Sequence, residues 1–476
     1  MILIDGAHLT CAEIYDAAHL RDVVTLSADA RAEVGRAHRF AERVAGERPV
    51  YGLTTGVGAN RGIGVTDGAA HARSLLRSHA TSAGSLRAAE RVRAMLVVRL
   101  NQLAAGGSGA SEAVVEGLAA MIAADALPEV REHGSIGTGD LTALATTALA
   151  LIGDAPTTRP LPSRIVFGAH DSLPFISSNA AAIGDAALAC TDLQILARAS
   201  VVIAALTYLA VDGNPEAFAP VVERVTPFEG ARRVCGWMRS LTAGAAPAAR
   251  IQDPFGLRTL PQTLGPALDA FAHLDDVVSR MANAPSENPV VLPGPDDRGE
   301  IAHHGGFHAA YLTTAVDTAV ITAAQSAKLV LARLATLVDP DFTGLPAFLG
   351  DGTPGASGVM VLEYVGSGAL GDLRAAATPA GLQTVVLSQG VEEDASFASL
   401  AARQALGAVG NLRILLACEL VAAVRAVRSR GISPGSDGLC QALSVCEKLP
   451  DSLADRDLSP DIELAEGLLP ALAQIL

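Results

Sequence analysis

Glycine-rich segments that carry polar side chains are the first candidates for chemistry in this 476-residue chain. The clearest spans residues 52–58, Gly-Leu-Thr-Thr-Gly-Val-Gly, a composition that suggests phosphate binding. It lacks the Gly-Lys-Ser/Thr ending of a P-loop and the strand-to-helix context of a dinucleotide site. We therefore expect no nucleotide at this segment.

Imidazole and thiol groups are the next candidates for chemistry, because both bind metals. His303, His304 and His308 lie close together in the sequence, but no carboxylate or cysteine stands at a matching helical spacing, so polar contacts are the expected role. The six cysteines show no CxxC spacing, and most have apolar neighbours. We expect buried free thiols in a reducing cytoplasm and predict no metal site.

Composition and charge exclude several classes of protein. Half of the residues are hydrophobic, which is enough for a large core and argues against disorder. The net charge of −15 and the absence of any Lys/Arg-rich run disfavour a nucleic-acid partner. The longest uninterrupted apolar runs, such as residues 201–211, are too short to cross a bilayer, and the first residues lack a basic segment and a cleavage site. We expect a cytoplasmic protein without a membrane partner.

The elements that must position any site are predicted to be helices. Apolar residues recur every three or four positions, and Ala and Leu, both strong helix formers, dominate the apolar set. The predicted helices are residues 87–105, 111–124, 180–211, 264–281, 307–337 and 395–429. Several exceed ordinary helix lengths, which favours an all-α fold with a bundle of long helices.

The domain division is placed near residue 190. Shorter helices and glycine-rich loops occupy residues 1–190, whereas the long helices and the C-terminal helices occupy residues 191–476. Within the second part, residues 291–299 are predicted to form an exposed loop, because they combine Pro, Gly and Asp.

A series of short blocks, in order along most of the chain, resembles the histidine and phenylalanine ammonia-lyase family. The blocks are Tyr51-Gly52, Arg77-Ser78-His79-Ala80, Arg99-Leu100-Asn101, Gly107-Ser108-Gly109, residues 134–141, residues 252–258, Pro261-Gln262, Asn283, Glu287-Asn288-Pro289, Gly305-Gly306-Phe307-His308, residues 357–364 and Glu392-Glu393-Asp394. Each block alone is weak, but the ordered series is specific for fold and ancestry. The resemblance implies an ammonia-lyase/fumarase-like helical bundle and a homotetramer with shared active sites.

The resemblance also implies a reaction, the elimination of an amine from an aromatic amino acid. Removing a weakly acidic β-hydrogen requires a base, and the family's base matches Tyr51. A phenol serves as a base only if neighbouring cations, backbone donors or helix N-termini lower its pKa. Arg258 matches the arginine that binds the substrate carboxylate, for which a planar guanidinium is suited, although a structural ion pair is the alternative.

Two positions of the resemblance concern the substrate ring. Ser78-His79 matches histidine lyases. Glu393 matches the glutamate that they place against the imidazole, and a carboxylate can accept a hydrogen bond from the ring N–H. The alternative is that His79 is a satisfied core histidine and Glu393 an acid at a helix N-terminus. Asn288, from a matching block, and Ser177 and Phe255 are further predicted substrate-binding residues. Ser177 stands where the family has the Asn that supports the cofactor oxygen, and Phe255 where many members have Tyr.

The departures from the family concern its prosthetic group. In the family an Ala-Ser-Gly triad cyclises and dehydrates to the electrophilic methylidene-imidazolone group; here Gly137-Thr138-Gly139 stands in its place, and the loop is one residue shorter. A threonine would leave a methyl on the electrophilic carbon, and the shortened loop alters a turn whose geometry tolerates little misplacement. We therefore expect no standard group, with a variant group from these three residues as the alternative.

Several functions remain open at this stage. The main hypothesis is elimination of an amine from histidine or a related imidazole or aromatic amino acid, with Tyr51 and residues 137–139 as the catalytic positions. A substrate with a quaternary ammonium leaving group, as in ergothioneine-degrading relatives, needs no electrophile. An aminomutase and a non-catalytic family member are further alternatives.

Overall fold

The computed structural model describes residues 1–19, 23–295 and 298–476. The fold is 61% helical with a few short strands, which confirms the predicted all-α class. The predicted helices are all present, with ends displaced by at most four residues. The four longest are Ala180–Ala210, Leu260–Ala282, Ala310–Val338 and Ala398–Ser429.

The shorter helices and the strands complete the described elements. The remaining α-helices are Cys11–His19, Ala28–Glu47, Gly68–His79, Ala89–Ala104, Glu112–Ala123, Leu141–Ile152, Ser172–Ile176, Pro220–Val225, Glu229–Leu241, Phe255–Arg258, Pro340–Thr343, Val361–Ala376, Asp437–Val445 and Ser459–Ala473. Three two-stranded sheets pair Ile2–Ile4 with Val24–Leu26 in parallel, and Ala83–Leu86 with Arg131–His133 and Val290–Pro293 with Gly299–Ala302 antiparallel.

The last of these sheets corrects one sequence prediction. The sequence predicts an exposed loop over residues 291–299, but Val290–Pro293 is a strand and Val291 is buried against Phe40 and Ala41. Asp296 and Asp297, which belong to this prediction, lie outside the described residues. An apolar Val-Val-Leu run before the Pro-Gly turn pairs readily as a strand, and its burial against a helix outweighs the turn signal.

By its internal contacts the chain forms two compact units. The first consists of residues 1–191, 274–316 and 379–403, and the second of residues 192–273, 317–378 and 404–476. The predicted division near residue 190 refers to chain order and stays a prediction.

The first unit has a helix buried on every side at its centre. In Ala89–Ala104 every residue from Val92 onward is buried, including Arg99. Burial of that guanidinium requires compensation, which comes from Glu287, 2.6 Å away, and from backbone carbonyls of residues 174 and 175.

The second unit contains a comparable buried ion pair. Arg333 Nε and Nη2 donate to the two carboxylate oxygens of Glu419 at 2.6 and 2.7 Å, and the hydroxyl of Thr207 donates to the same carboxylate at 2.8 Å. These residues lie on three of the four longest helices and tie them together within this unit.

Three helical segments are long and apolar enough to cross a membrane by length and composition alone: Ser172–Ala210, Ala310–Val338 and Ala398–Ser429. The sequence prediction counted only uninterrupted apolar runs, so it missed these windows. In the first and third segments 83% and 72% of the apolar window is buried within the protein, and core helices share this composition with membrane helices.

Candidate active site

A cavity of about 670 Å³ in the first unit collects much of the predicted chemistry. Five of the predicted site residues line it: Tyr51, Thr138, Ser177, Asn288 and Glu393. The other lining residues are Pro49, Thr55, Gly58, Arg61, Leu141, Leu173, His303, Gly305, Phe307, His308, Val391, Glu392 and Asp394. Residues from five distant parts of the sequence thus face one space.

Tyr51 is held by two hydrogen bonds, one at its phenol oxygen and one at its backbone N–H. Its oxygen accepts a hydrogen bond from the backbone N–H of Gly58 at 2.8 Å, and its own backbone N–H donates to His303 Nε2 at 3.1 Å. Burial raises the pKa of the phenol; the Gly58 donor and the charge of Arg61 oppose the rise, whereas Glu392 adds to it. The phenol oxygen is therefore held in place, but burial and the residues around it leave its pKa raised.

The loop that replaces the family's triad, residues 134–140, will be called the tripeptide loop. Gly137 and Gly139 have φ angles of 87° and 109°, a region that favours glycine. The Gly137 carbonyl accepts from Ser396 Oγ at 2.8 Å, and the Gly139 N–H donates to Asn179 Oδ1 at 3.2 Å. Thr138 lies between these two bonded residues, half-buried at the cavity wall.

Asp140, the last residue of the tripeptide loop, is held by two hydrogen bonds to its side chain. Its carboxylate accepts from Ser135 Oγ at 2.6 Å and from the backbone N–H of Ala182 at 2.8 Å, and it is fully buried. Burial raises the pKa of this carboxyl group, while the two donors act in the opposite direction. The bonds join the start of Leu141–Ile152 to the start of Ala180–Ala210.

The loop does not fit the family's standard prosthetic group. A Cβ at residue 137 would lie 2.1 Å from Ser396 Oγ and 2.8 Å from the backbone nitrogens of Phe397 and Ala398, so alanine cannot occupy the first position of the triad without displacing its neighbours. The second position is threonine instead of serine. The residues present therefore disagree with an Ala-Ser-Gly-derived electrophile.

Asn288 and Ser177 are adjacent in the cavity wall. The Asn288 backbone N–H donates to Ser177 Oγ at 3.2 Å, and Asn288 Oδ1 accepts from the backbone N–H of His304 at 3.0 Å. His304 Nε2 lies 2.6 Å from the Glu287 carbonyl, and its Nδ1 accepts from Gly306 N–H. His304 thus holds the loop that carries His303 and His308.

An acidic run forms another part of the wall. Glu392, Glu393 and Asp394 all line the cavity, and Asp394 Oδ2 lies 3.2 Å from His308 Nε2. Arg61 is the single guanidinium among the described lining residues. Burial, and to a smaller extent Arg48 and His304, lower the pKa of His303, which favours the neutral ring that accepts from Tyr51 N–H.

Four predicted site residues lie elsewhere. Ser78 and His79 are at the end of Gly68–His79 and bond back to the Leu75 carbonyl at 3.0 Å. Arg258 lies in the second unit with its guanidinium 4.6 Å from the ring centre of Phe255, a side chain that is 61% exposed. The roles of these four residues stay predictions.

Sequence reasoning missed several lining residues. The site residues predicted from the sequence do not include Arg61, His303, His308 and Glu392, although the two histidines are of a type that binds metals and Glu392 directly precedes Glu393. The feature of the sequence that could have assigned His303 and His308 to the site is the glycine-rich segment in which they lie. Arg61 had none beyond lying ten residues after Tyr51.

One cluster of possible metal ligands lies apart from the cavity. Cys11, Cys190 and Asp275 each offer a ligand atom, and these atoms lie within 4.8 Å of one another. Spacing along the sequence could not predict this grouping, because the three residues are far apart in the chain.

The helical fold places a phenol, carboxylates, a hydroxyl and an amide around one cavity. The model of the family described as aromatic amino acid lyase matches residues 9–447. Histidine ammonia-lyase of Symbiobacterium thermophilum is 33% identical over 487 residues, covering 97% of this chain and 95% of the relative.

Solved structures agree with this match. A tyrosine aminomutase from Streptomyces globisporus has a TM-score of 0.93 at 26% identity, covering 100% of this chain and 97% of that one. Ergothionase from Treponema denticola, an ergothioneine-degrading enzyme, has a TM-score of 0.90 at 24% identity, covering 100% and 99%, and shares the fold. The chain belongs to the aromatic amino acid lyase family and is a carbon–nitrogen lyase.

Proposed function

We propose that this protein eliminates an amine from histidine, or from a related imidazole or aromatic amino acid, to give an α,β-unsaturated acid. The observation that carries the proposal is the cavity that brings Tyr51 and Glu393 together with Thr138, Ser177 and Asn288. The histidine ammonia-lyases among the relatives support an imidazole substrate.

In the proposed reaction Tyr51 is the base. Its phenolate oxygen takes the β-proton, the C–H electrons form the new double bond between Cα and Cβ, and the C–N bond breaks so that the amine leaves with its electron pair. Because burial raises the pKa of the phenol, a cation is needed to favour the phenolate. The ammonium group of the substrate supplies that charge as it enters the cavity.

Glu393 is proposed to bind the substrate ring, because a carboxylate accepts a hydrogen bond from an imidazole N–H. Arg258 is proposed to bind the carboxylate, and Ser78, His79 and Phe255 to complete the site. In a homotetramer with shared active sites, which we propose together with a cytoplasmic location, these residues need not come from the chain that supplies Tyr51.

A second candidate substrate carries a quaternary ammonium group. Three acidic residues, Glu392, Glu393 and Asp394, line the cavity, whereas Arg61 has the single guanidinium among the described lining residues, and this balance favours a cationic ligand. A quaternary ammonium leaves as a neutral amine, so its elimination needs no covalent electrophile. This agrees with a loop that does not fit the standard prosthetic group.

The test is to incubate the purified protein with L-histidine and, separately, with its Nα-trimethyl derivative. We expect release of ammonia or trimethylamine together with an ultraviolet-absorbing unsaturated acid. Preference for the trimethyl derivative supports the second candidate, and a β-amino acid detected by NMR indicates an aminomutase. No turnover of either compound, or equal turnover by Tyr51→Phe, contradicts the proposal.

A further inference from the structure

The tripeptide loop is fastened to one segment of the chain, residues 396–403, which will be called the clamp segment. Three successive carbonyl oxygens of the loop, those of residues 135–137, and the carbonyl oxygen of residue 132 just before it each accept a hydrogen bond from this segment. The bonds are Arg403 Nη1 to Glu132 O at 3.0 Å, Ser399 Oγ to Ser135 O at 2.8 Å, Phe397 N to Ile136 O at 2.8 Å and Ser396 Oγ to Gly137 O at 2.8 Å.

This fastening opposes cyclisation of the tripeptide. Ring closure would remove the carbonyl oxygen of Gly137 as water and consume the N–H of Gly139. Ser396 Oγ would lose its acceptor and Asn179 Oδ1 would lose its donor, although both side chains are buried, at 4% and 1% exposure. Buried polar groups that lose partners cost free energy, so these contacts stabilise the open chain.

In the open chain Thr138 keeps an intact, half-buried side chain. Its side chain lines the cavity, and its hydroxyl makes no hydrogen bond to any residue in the part of the chain that the structure describes. A half-buried hydroxyl at a cavity wall without a protein partner is free to bind a ligand.

We propose that Thr138 acts as an intact side chain whose hydroxyl binds the amino acid head of the substrate, and that Ser396 is a positioning residue that holds Thr138 there through the Gly137 carbonyl. This deepens the proposed function of the same cavity and rests on it for the ligand. Gly137 and Ser396 form a matched pair, because the space of the missing Cβ is occupied by the serine hydroxyl.

The first experiment is intact mass and peptide mapping of the wild-type protein and of Thr138→Ser. Serine is the residue that the family dehydrates, so this variant gives the loop its best opportunity to react. We expect unmodified masses for both proteins. A loss of two water molecules from the peptide with residues 137–139 of the wild-type protein overturns the proposal, whatever the activity; the same loss in Thr138→Ser alone overturns the clamp as the cause.

The second experiment measures the apparent affinity for L-histidine and its Nα-trimethyl derivative, as KM for a compound that is turned over and by calorimetry for one that is not. Thr138→Val keeps the branched shape and removes the hydroxyl, so binding should weaken about fivefold, the value of one hydrogen bond, whereas Thr138→Ser should stay within about twofold. Unchanged binding in Thr138→Val overturns the hydroxyl's role and leaves the proposed function standing. Failure of the wild-type protein to bind either compound removes both together.

The role of Ser396 is tested against a neighbouring bond of the same kind. Ser396→Ala and Ser399→Ala each remove one hydroxyl from the clamp segment, but only the first contacts the tripeptide itself. We expect Ser396→Ala to weaken binding about fivefold and Ser399→Ala to leave it unchanged, with similar losses of thermal stability. Equal effects of the two variants on affinity would reduce Ser396 to a structural role.

Discussion

At the scale of single residues, the charges around Tyr51 oppose each other. Arg61 favours the phenolate and Glu392 disfavours it, while burial raises the pKa of the phenol above its ordinary value. A base that must lose its proton works better as pH rises, so kcat/KM of the elimination should increase with pH above neutrality.

Replacing each charged neighbour of Tyr51 in turn should shift this pH profile, and the two replacements should shift it in opposite directions. Arg61→Gln removes the cation that stabilises the phenolate, which shifts the rise of kcat/KM to higher pH. Glu392→Gln removes the opposing anion and shifts the rise to lower pH. The measurement is kcat/KM from pH 6 to about pH 10, around the ordinary phenol pKa. Shifts in the same direction would contradict Tyr51 as the titrating base.

Replacing Tyr51 by Phe should lower kcat/KM by about 10²-fold or more, the usual contribution of a general base. The only hydrogen bond of the phenol oxygen to a described residue is the one from Gly58, so unfolding free energy should fall by about 1 kcal/mol. Amine release and urea unfolding measured on the same preparation separate the two effects. A large loss of stability with little loss of rate would make Tyr51 structural.

At the scale of elements, the close approach of the tripeptide loop to the clamp segment depends on glycine. Gly137→Ala places a methyl 2.1 Å from Ser396 Oγ at a φ of 87°, so the free energy of unfolding should fall by at least about 2 kcal/mol. Gly46→Ala is the control. Gly46 lies in the helix Ala28–Glu47, and a Cβ there would meet no atom within 4 Å, so the free energy of unfolding should stay unchanged or rise by about 0.5 kcal/mol. Equal urea midpoints for the two variants would contradict the close packing of Gly137 against Ser396.

The buried ion pair of the second unit joins three long helices, so its loss should lower the free energy of unfolding strongly. Glu419→Ala leaves the guanidinium of Arg333 buried without its partner, and the free energy of unfolding should fall by about 3–5 kcal/mol. The exposed pair between Arg280 and Asp276 provides the comparison: Asp276→Ala should cost less than about 1 kcal/mol. Chemical denaturation measures the free energy of unfolding of both variants. Losses of similar size would contradict this prediction.

At the scale of the whole molecule, the proposed homotetramer is supported by apolar helix surface. In Ala310–Val338 only 44% of the apolar window is buried within the chain, and Ile321 on this helix is 42% exposed. Light scattering should therefore report about four times the chain mass of 48.5 kDa. Ile321→Glu should shift the protein to smaller species, with Asp276→Ala as the unaffected control; a wild-type monomer would contradict the assembly.

The sequence by itself determined the helices and the family. Periodic apolar residues identify a helix within some fifteen residues, and an ordered series of short blocks identifies ancestry without any knowledge of contacts. The same blocks pointed to Tyr51, Thr138, Asn288 and Glu393, and a departure from the family pointed to Ser177; the fold brings all five to one cavity. For Ser78, His79, Phe255 and Arg258, which do not line it, the blocks alone support the assignment.

Only the tertiary structure decided how these residues work together. The bond between Ser396 and Gly137 joins positions 259 residues apart, and the contact of His308 with Asp394 likewise joins different segments. The direction of the Tyr51 pKa shift depends on burial, which no local pattern encodes. The physical reason is that helix propensity acts over one or two turns, whereas hydrogen bonding and desolvation depend on which distant segments pack together.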